Sequence, residues 1–142
     1  MMPFNELSRR TFLGMTAAGL LTGIRPAQAA GGDELRIGLV GCGARGRGAV
    51  NSLLAADPDA RLVALGDLFE DRLAVVRTDV EKDMRAKSRL QQFAVDDERC
   101  FVGFDAYRSV IECGVDLIVL ATPQAFRPQH LQAAVDAGLH VF

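Results

Sequence analysis

Leu35-Arg36-Ile37-Gly38-Leu39-Val40-Gly41-Cys42-Gly43-Ala44-Arg45-Gly46 is the stretch on which the reading of this 142-residue chain turns. Its first six residues form an apolar run suited to a buried strand, and they lead without a break into a Gly-x-Gly-x-x-Gly loop. A diphosphate can approach a backbone only where side chains are missing, and a helix N-terminus adds unpaired N–H donors and a favourable dipole. Gly41 then makes the tight turn, Gly43 admits the diphosphate and Gly46 lets the following helix pack on the strand, with Cys42, Ala44 and Arg45 completing the loop. Downstream, Val50, Leu53 and Leu54 share one helical face, and Leu62-Val63-Ala64-Leu65 is a second apolar run followed by Asp67. An acid about twenty residues past the glycines, at the end of the neighbouring parallel strand, is placed to accept hydrogen bonds from ribose hydroxyls. Glycine-rich turns without a ligand also occur. Here strand, loop, helix, second strand and acid follow in order, which favours dinucleotide binding over a bare turn.

Beyond Asp67 the alternation continues. Glu70 to Lys87 reads as a long helix whose Leu73, Val76, Val80 and Met84 stripe faces the core. Gln91 to Arg99 is polar and reads as a solvated connection, and its three consecutive acids, Asp96-Asp97-Glu98, lack the ligand geometry of a metal site. Cys100 to Phe104 reads as a third strand, and Ala106 to Cys113 as a short helix with Tyr107, Val110 and Ile111 inward and Gly114 as its stop. Asp116 to Ala121 is a continuous run of the kind expected for a strand covered on both faces, stopped by Pro123. Pro128 to Ala137 reads as a helix with Pro128 in its first turn and Gly138 at its C-cap, and Leu139 to Phe142 begin a fifth strand. The pattern predicts an α/β fold, a doubly wound parallel sheet of the Rossmann type, whose ligand lies across the carboxyl ends of the strands. The glycine loop, Asp67 and the Ala121-Thr122-Pro123 turn all fall at those ends, so the candidate cofactor-binding residues are Gly41, Cys42, Gly43, Ala44, Arg45, Gly46, Asp67, Ala121, Thr122 and Pro123.

The start of the chain reads differently. Ser8-Arg9-Arg10-Thr11-Phe12-Leu13 sets an arginine pair before a modestly apolar stretch, Leu13 to Ile24, and Ala27-Gln28-Ala29 supplies a small-residue cleavage pattern. Residues 1–29 resemble a twin-arginine signal peptide, which leaves a nucleotide-binding domain over 30–142 and implies the twin-arginine translocase as a partner and a periplasmic or otherwise exported location. A short membrane anchor and a Sec signal are the competing readings. About 12 apolar-to-small residues fall short of the roughly 20 that a bilayer span needs, and Arg25 before the cleavage region suits the twin-arginine route. Removing residues 1–29 takes out Glu6, Arg9, Arg10 and Arg25, a net +2, so the −2 of the whole chain becomes about −4. No basic excess is left to attract nucleic acid, and 49% hydrophobic with 24% charged residues is a globular composition. Cys42, Cys100 and Cys113 have no metal or redox spacing and read as small buried or half-buried residues. His130 and His140 have no carboxylate close in sequence and read as structural, as does Tyr107.

Across residues 30–142 the chain resembles the Gfo/Idh/MocA oxidoreductases, named for glucose–fructose oxidoreductase and inositol dehydrogenase. The resemblance is carried by Ile37-Gly38-Leu39-Val40-Gly41-Cys42-Gly43, by Ala64-Leu65-Gly66-Asp67, by Ala121-Thr122-Pro123 and by Ala133-Ala134-Val135-Asp136-Ala137-Gly138-Leu139-His140-Val141. It implies NAD or NADP as cofactor and, in a full-length protein, hydride transfer to or from a sugar or polyol, with a homo-oligomer formed through a second α/β domain. Relatives continue with a Glu-Lys-Pro motif and that second domain. The resemblance therefore implies an export signal plus most of a cofactor domain, truncated in its fifth strand, with an exposed sheet edge, no catalytic residue and no turnover of its own. Many relatives have His at the positions matching Ala125 and Arg127 and Lys at that matching Leu139. Ala125 offers no polar contact, and Arg127 is either an anion or hydroxyl donor or a solvated helix-start residue. Asp67 disfavours the 2′-phosphate of NADP while Arg45, Arg47 and Arg72 favour it, so both cofactors stay open. An NAD(P)-binding protein without turnover and an NAD-assisted glycosidase are the alternative functions.

Overall fold

In the computed structural model, which describes residues 34–142, each apolar run becomes a strand and each amphipathic stretch a helix. The signal-peptide reading of residues 1–29 lies outside the described residues. The chain runs β1 (Leu35–Val40), α1 (Ala44–Ala56), β2 (Ala60–Asp67), α2 (Glu70–Ala86), β3 (Cys100–Val102), α3 (Ala106–Glu112), β4 (Leu117–Leu120), α4 (Arg127–Asp136) and β5 (His140–Val141). All pairings are parallel and the sheet order is β3-β2-β1-β4-β5, the doubly wound sheet that the sequence predicts. Parallel neighbours need a crossover. From the central strand β1 the chain steps outward through α1 and α2 to β2 and β3, and α3 then carries it back past β1 to β4. The order reverses between β1 and β4, and that is where a crevice opens at the carboxyl ends.

Period-two alternation along the strands, interrupted in β2 where the pairing skips from Ile37 with Leu62 to Gly38 with Ala64, sends side chains to two cores. On one face Ile37, Leu39, Leu62 and Leu65 meet Val50 and Leu54 of α1 and Val76, Val80 and Met84 of α2. On the other, Val40, Val63, Ile118 and Leu120 meet Tyr107 and Val110 of α3 and Ala134 of α4. The helix stripes named from the sequence are the buried ones. Two polar clamps tie elements together across the sheet. Arg36 grips Asp116 with Nε to Oδ2 at 3.1 Å and Nη2 to Oδ1 at 3.0 Å, which fixes the start of β1 against the entry to β4. Arg47 donates to Asp79 at 2.5 Å and to Asp83 at 3.1 Å, and Asn51 donates to Asp83 at 3.0 Å, locking α1 to α2.

Two expectations change. Arg47 is engaged by the α2 carboxylates and does not line the crevice with Arg45 and Arg72. The segment from Gln91 to Arg99 is not simply solvated: Gln92 is fully buried, Val95 is buried, and Phe93 bridges to Leu62 of β2. The physical reason is a need for donors. The end of α1 and the start of β2 turn three carbonyls inward, and the Gln92 amide donates to Leu54 O at 2.9 Å, Asp57 O at 2.8 Å and Ala60 O at 3.2 Å. Short turns at Leu90–Gln92 and Asp97–Arg99 then bring the chain to β3, which spans three residues where the sequence suggested five.

Cys42, Cys100 and Cys113 are free thiols, Cys42 buried and the other two half-buried. Burial, with the Asp67 carboxylate beside it, pushes the Cys42 thiol up to about 12; burial also raises Cys100 and Cys113. The Cys42 thiol is therefore held in its protonated form at pH 8. Among the described residues no helix is long and apolar enough to cross a membrane.

Two expected outcomes follow from this packing. Gln92→Leu keeps the volume but removes the buried amide donor that the Leu54, Asp57 and Ala60 carbonyls share, and should lower unfolding free energy by about 1 kcal/mol or more, read from the urea midpoint at constant m-value. Iodoacetamide at pH 8 should label Cys100 and Cys113 in the folded protein and leave Cys42 unmodified until denaturant is added, as peptide mass mapping would show.

Candidate functional site

The four loops that follow β1, β2, β3 and β4 surround a cavity of about 360 Å³ at the carboxyl edge of the sheet. The glycine loop forms one wall, and its three glycines are there for different reasons. Gly41 has φ +100, and a Cβ on it would lie 2.7 Å from the Ala121 carbonyl carbon. Glycine at this position lets the end of β1 touch the turn after β4. Gly41 N donates to Gly66 O at 2.9 Å and Ala121 N to Val40 O at 2.8 Å, so the loop is stitched to both neighbouring strands. Gly46 is buried, and a Cβ there would collide with the Gly41 carbonyl oxygen. Gly43 differs from both. Its backbone, φ −98 and ψ −178, is extended, and a Cβ on it would meet nothing within 4 Å. The fold does not need a glycine at 43. What its hydrogen leaves is open space before the N-terminus of α1, a helix with no side-chain cap and no acid in its first turn.

Asp67 ends β2 and is 8% exposed. Cys42 N donates to Oδ2 at 2.5 Å and Phe69 N to Oδ1 at 2.9 Å, which ties the glycine loop to the loop after β2. Each carboxylate oxygen has two acceptor positions, so capacity for further hydroxyl donors remains. Arg45, Arg72 and Arg127 line the same cavity. The Arg72 guanidinium lies 5.2 Å from the Phe69 ring centroid, and Arg127 Nε donates to Thr122 O at 3.3 Å. Among the described residues none of these three arginines is in an ion pair. Three cations and one carboxylate give the cavity a positive bias suited to a polyanion.

Of the candidate residues, Gly41, Gly43, Arg45, Asp67, Ala121, Thr122 and Pro123 line the cavity. Cys42, Ala44 and Gly46 do not. Cys42 turns its thiol into the core and contributes its N–H to Asp67, Gly46 packs α1 onto β1, and Ala44 is exposed at the helix start. The sequence reading missed the aromatic wall. His130, 7% exposed, accepts from or donates to Thr122 Oγ1 through Nδ1 at 3.2 Å and stacks on Tyr107 with ring centroids 4.2 Å apart. Burial lowers its pKa, which favours the neutral imidazole. Gln129 Nε2 donates to the Tyr107 hydroxyl at 2.9 Å. Both rings are buried, Tyr107 as expected, and both also line the cavity together with Phe69, Phe104 and Phe126. The available signal was positional: Phe69, Phe104 and Phe126 stand in loops after strand ends, and His130 is one helical turn on from Arg127. His140 is exposed on β5, away from the cavity. Among the described residues no group of three or more His, Cys, Asp or Glu is arranged to hold a metal ion.

No protein-family model matches the sequence. A glycosyl hydrolase family 109 protein from Shewanella sp. (strain ANA-3) is 33% identical over 112 residues, 78% of this chain and 22% of that protein. Inositol 2-dehydrogenase 4 from Saccharopolyspora erythraea is 32% identical over 108 residues, 76% of this chain and 27% of that protein. The chain thus spans 22% to 27% of the length of the curated relatives it matches. Among solved structures, the WlbA dehydrogenase from Bordetella pertussis in complex with NADH and UDP-GlcNAcA superposes with a TM-score of 0.54 at 26% identity, over 76% of this chain and 27% of that one. Apo scyllo-inositol dehydrogenase from Lactobacillus casei shares the fold, with a TM-score of 0.53 at 23% identity over 77% of this chain and 27% of that one. These relatives are of the Gfo/Idh/MocA type, and this chain is homologous to their N-terminal portion.

Proposed function

We propose that this chain binds a nicotinamide dinucleotide, NAD or NADP, at the carboxyl edge of its sheet. The observation that carries the reading is the open space at Gly43, a position where the backbone would accept any residue, directly before the uncapped N-terminus of α1. The diphosphate fits there, the adenosine ribose hydroxyls fit the remaining acceptor positions of Asp67, and the far half of the dinucleotide runs toward the Ala121-Thr122-Pro123 turn. Arg45, Arg72 and Arg127 balance the charge of the diphosphate, and the NADH held by the Bordetella pertussis dehydrogenase supports the assignment. When bound, the cofactor supplies hydride donor or acceptor chemistry; the residues described here bind and orient it.

For a full-length protein we infer an oxidoreductase that acts on a sugar or polyol, supported by the names of the inositol dehydrogenase and WlbA relatives. An NAD-assisted glycosidase is the second reading, favoured by the 33% identity to the glycosyl hydrolase family 109 protein. Product analysis separates the two, since an oxidoreductase changes the redox state of the cofactor with each turnover and a redox-neutral glycosidase releases sugar with no net change. We also propose export by the twin-arginine translocase to the periplasm, from Ser8 to Leu13 and the Ala27-Gln28-Ala29 pattern, and a homo-oligomer built through a second domain.

Gly43→Val should leave the melting temperature of the chain close to that of the parent and abolish NADH binding in a calorimetric titration, because the branched side chain fills the diphosphate space without straining the loop. Retained affinity would move the diphosphate elsewhere. Asp67→Asn should weaken NADH by about 1 to 2 kcal/mol through poorer acceptance of the ribose hydroxyls. Replacing Arg9 and Arg10 together by Lys should leave uncleaved precursor in the cytoplasm, since the guanidinium fork and not charge alone distinguishes Arg from Lys; mature protein in the periplasm of that variant would mean another export route.

A further inference from the structure

We propose that His130 is a positioning residue for the bound dinucleotide: through a ring nitrogen it holds the Thr122 side chain, and with it the turn after β4 on which the glycine loop rests. The proposal rests on the dinucleotide reading above and adds how the β4 side of that site is held. The chain of contacts is short. A Cβ on Gly41 would lie 2.7 Å from the Ala121 carbonyl carbon and 2.9 Å from Thr122 N, so the glycine loop and the turn meet backbone to backbone with no side chain between them. A shift of the turn therefore moves the loop. The first helical turn of α4 grips Thr122 twice, with Arg127 Nε donating to Thr122 O at 3.3 Å and His130 Nδ1 bonded to Thr122 Oγ1 at 3.2 Å.

His130 does two separable things. Its ring stacks on Tyr107 with centroids 4.2 Å apart at 24°, and the Tyr107 hydroxyl is itself fixed by Gln129 of α4. That stack asks for a flat ring and not for a nitrogen. Phe126 lies 6.2 Å away at 18°, a second aromatic neighbour, so a phenylalanine at 130 would pack among these rings as well as a histidine does. A buried polar ring costs free energy unless its nitrogens are bonded. Burial alone lowers the His130 pKa, with no neighbouring charge to offset it, which leaves the Thr122 hydroxyl as the use of Nδ1. Thr122 lines the cavity, and a threonine hydroxyl without a partner turns among its staggered rotamers. Bonded to His130 it keeps one of them, so a ligand meets a β4-side wall that is already ordered.

The test is calorimetric titration with NADH, together with thermal unfolding, of the full chain and of His130→Phe, His130→Asn, Thr122→Val and the double variant His130→Phe with Thr122→Val. His130→Phe keeps the flat ring and loses the nitrogen, so its melting temperature should stay near that of the parent while NADH binds about tenfold more weakly. His130→Asn does the reverse. Its amide stands near the place of Nδ1 and bonds Thr122, so affinity should recover to within about twofold of the parent, although the lost stack lowers the melting temperature by about 4 °C or more. Thr122→Val should match His130→Phe, and the double variant should bind no more weakly than either single one, because both changes remove the same bond. A purely structural role would make affinity follow the melting temperature. Parent-like affinity in His130→Phe, a loss in His130→Asn as large as that in His130→Phe, or additive losses of about a hundredfold in the double variant would each overturn the proposal. In all of those cases the parent chain still binds NADH and the dinucleotide reading stands. A parent chain that binds no NADH would overturn both.

Discussion

The Asp67 carboxylate holds the site together before any ligand arrives. It is almost wholly buried, and its two oxygens receive the Cys42 N–H from the glycine loop and the Phe69 N–H from the loop after β2. A carboxylate bonded to backbone donors is worth more than a neutral pair and is fixed in direction. One side chain thereby sets the position of the glycine loop, of Phe69 and of its own free acceptor positions. The Gly41 contact with Ala121 does the same on the other side, through backbone alone. Between these two ties the mouth of the crevice has little freedom, so a nucleotide entering it meets groups already oriented and loses less entropy in ordering them.

The three glycines of the loop show how one motif mixes packing with recognition. At Gly41 and Gly46 a methyl group would strike backbone atoms, so substitution there damages the fold whether or not anything binds. At Gly43 it would strike nothing. The proposed diphosphate position therefore separates the two uses: glycine at 41 and 46 serves the packing of the loop, and glycine at 43 leaves room outside it.

Much of this was legible in the sequence because parallel sheets covered on both faces write their strands as continuous apolar runs. Leu35 to Val40, Leu62 to Leu65 and Leu117 to Leu120 needed no tertiary information to be recognised, and the helices between them carried their own apolar stripes. What escaped were roles set by partners far along the chain. Gln92 looked like a solvated residue because polarity was read locally, whereas its three carbonyl partners come from the end of α1, the turn after it and the start of β2. Arg47 looked like a phosphate ligand because it follows the glycine loop, whereas Asp79 and Asp83 take it. Tyr107 was rightly placed in the interior and His130 was read only as structural, but no local pattern says that an interior wall is also the wall of a cavity.

The loss of Arg47 from the crevice also sharpens the balance between the two cofactors. In the proposed pose Asp67 sets its carboxylate beside the ribose 2′ substituent, and its two backbone donors hold it from turning aside. Against a 2′-phosphate stand Arg45 and Arg72 alone, and Arg72 rests over the Phe69 ring. A phosphate there would gain two cations only by sitting against a fixed anion, whereas a ribose hydroxyl gains the anion as acceptor and leaves both guanidiniums for the diphosphate. The geometry therefore favours the hydroxyl. Reversing that preference would require removing the carboxylate, which also releases the glycine loop, so cofactor choice and loop position are coupled through the same two oxygens.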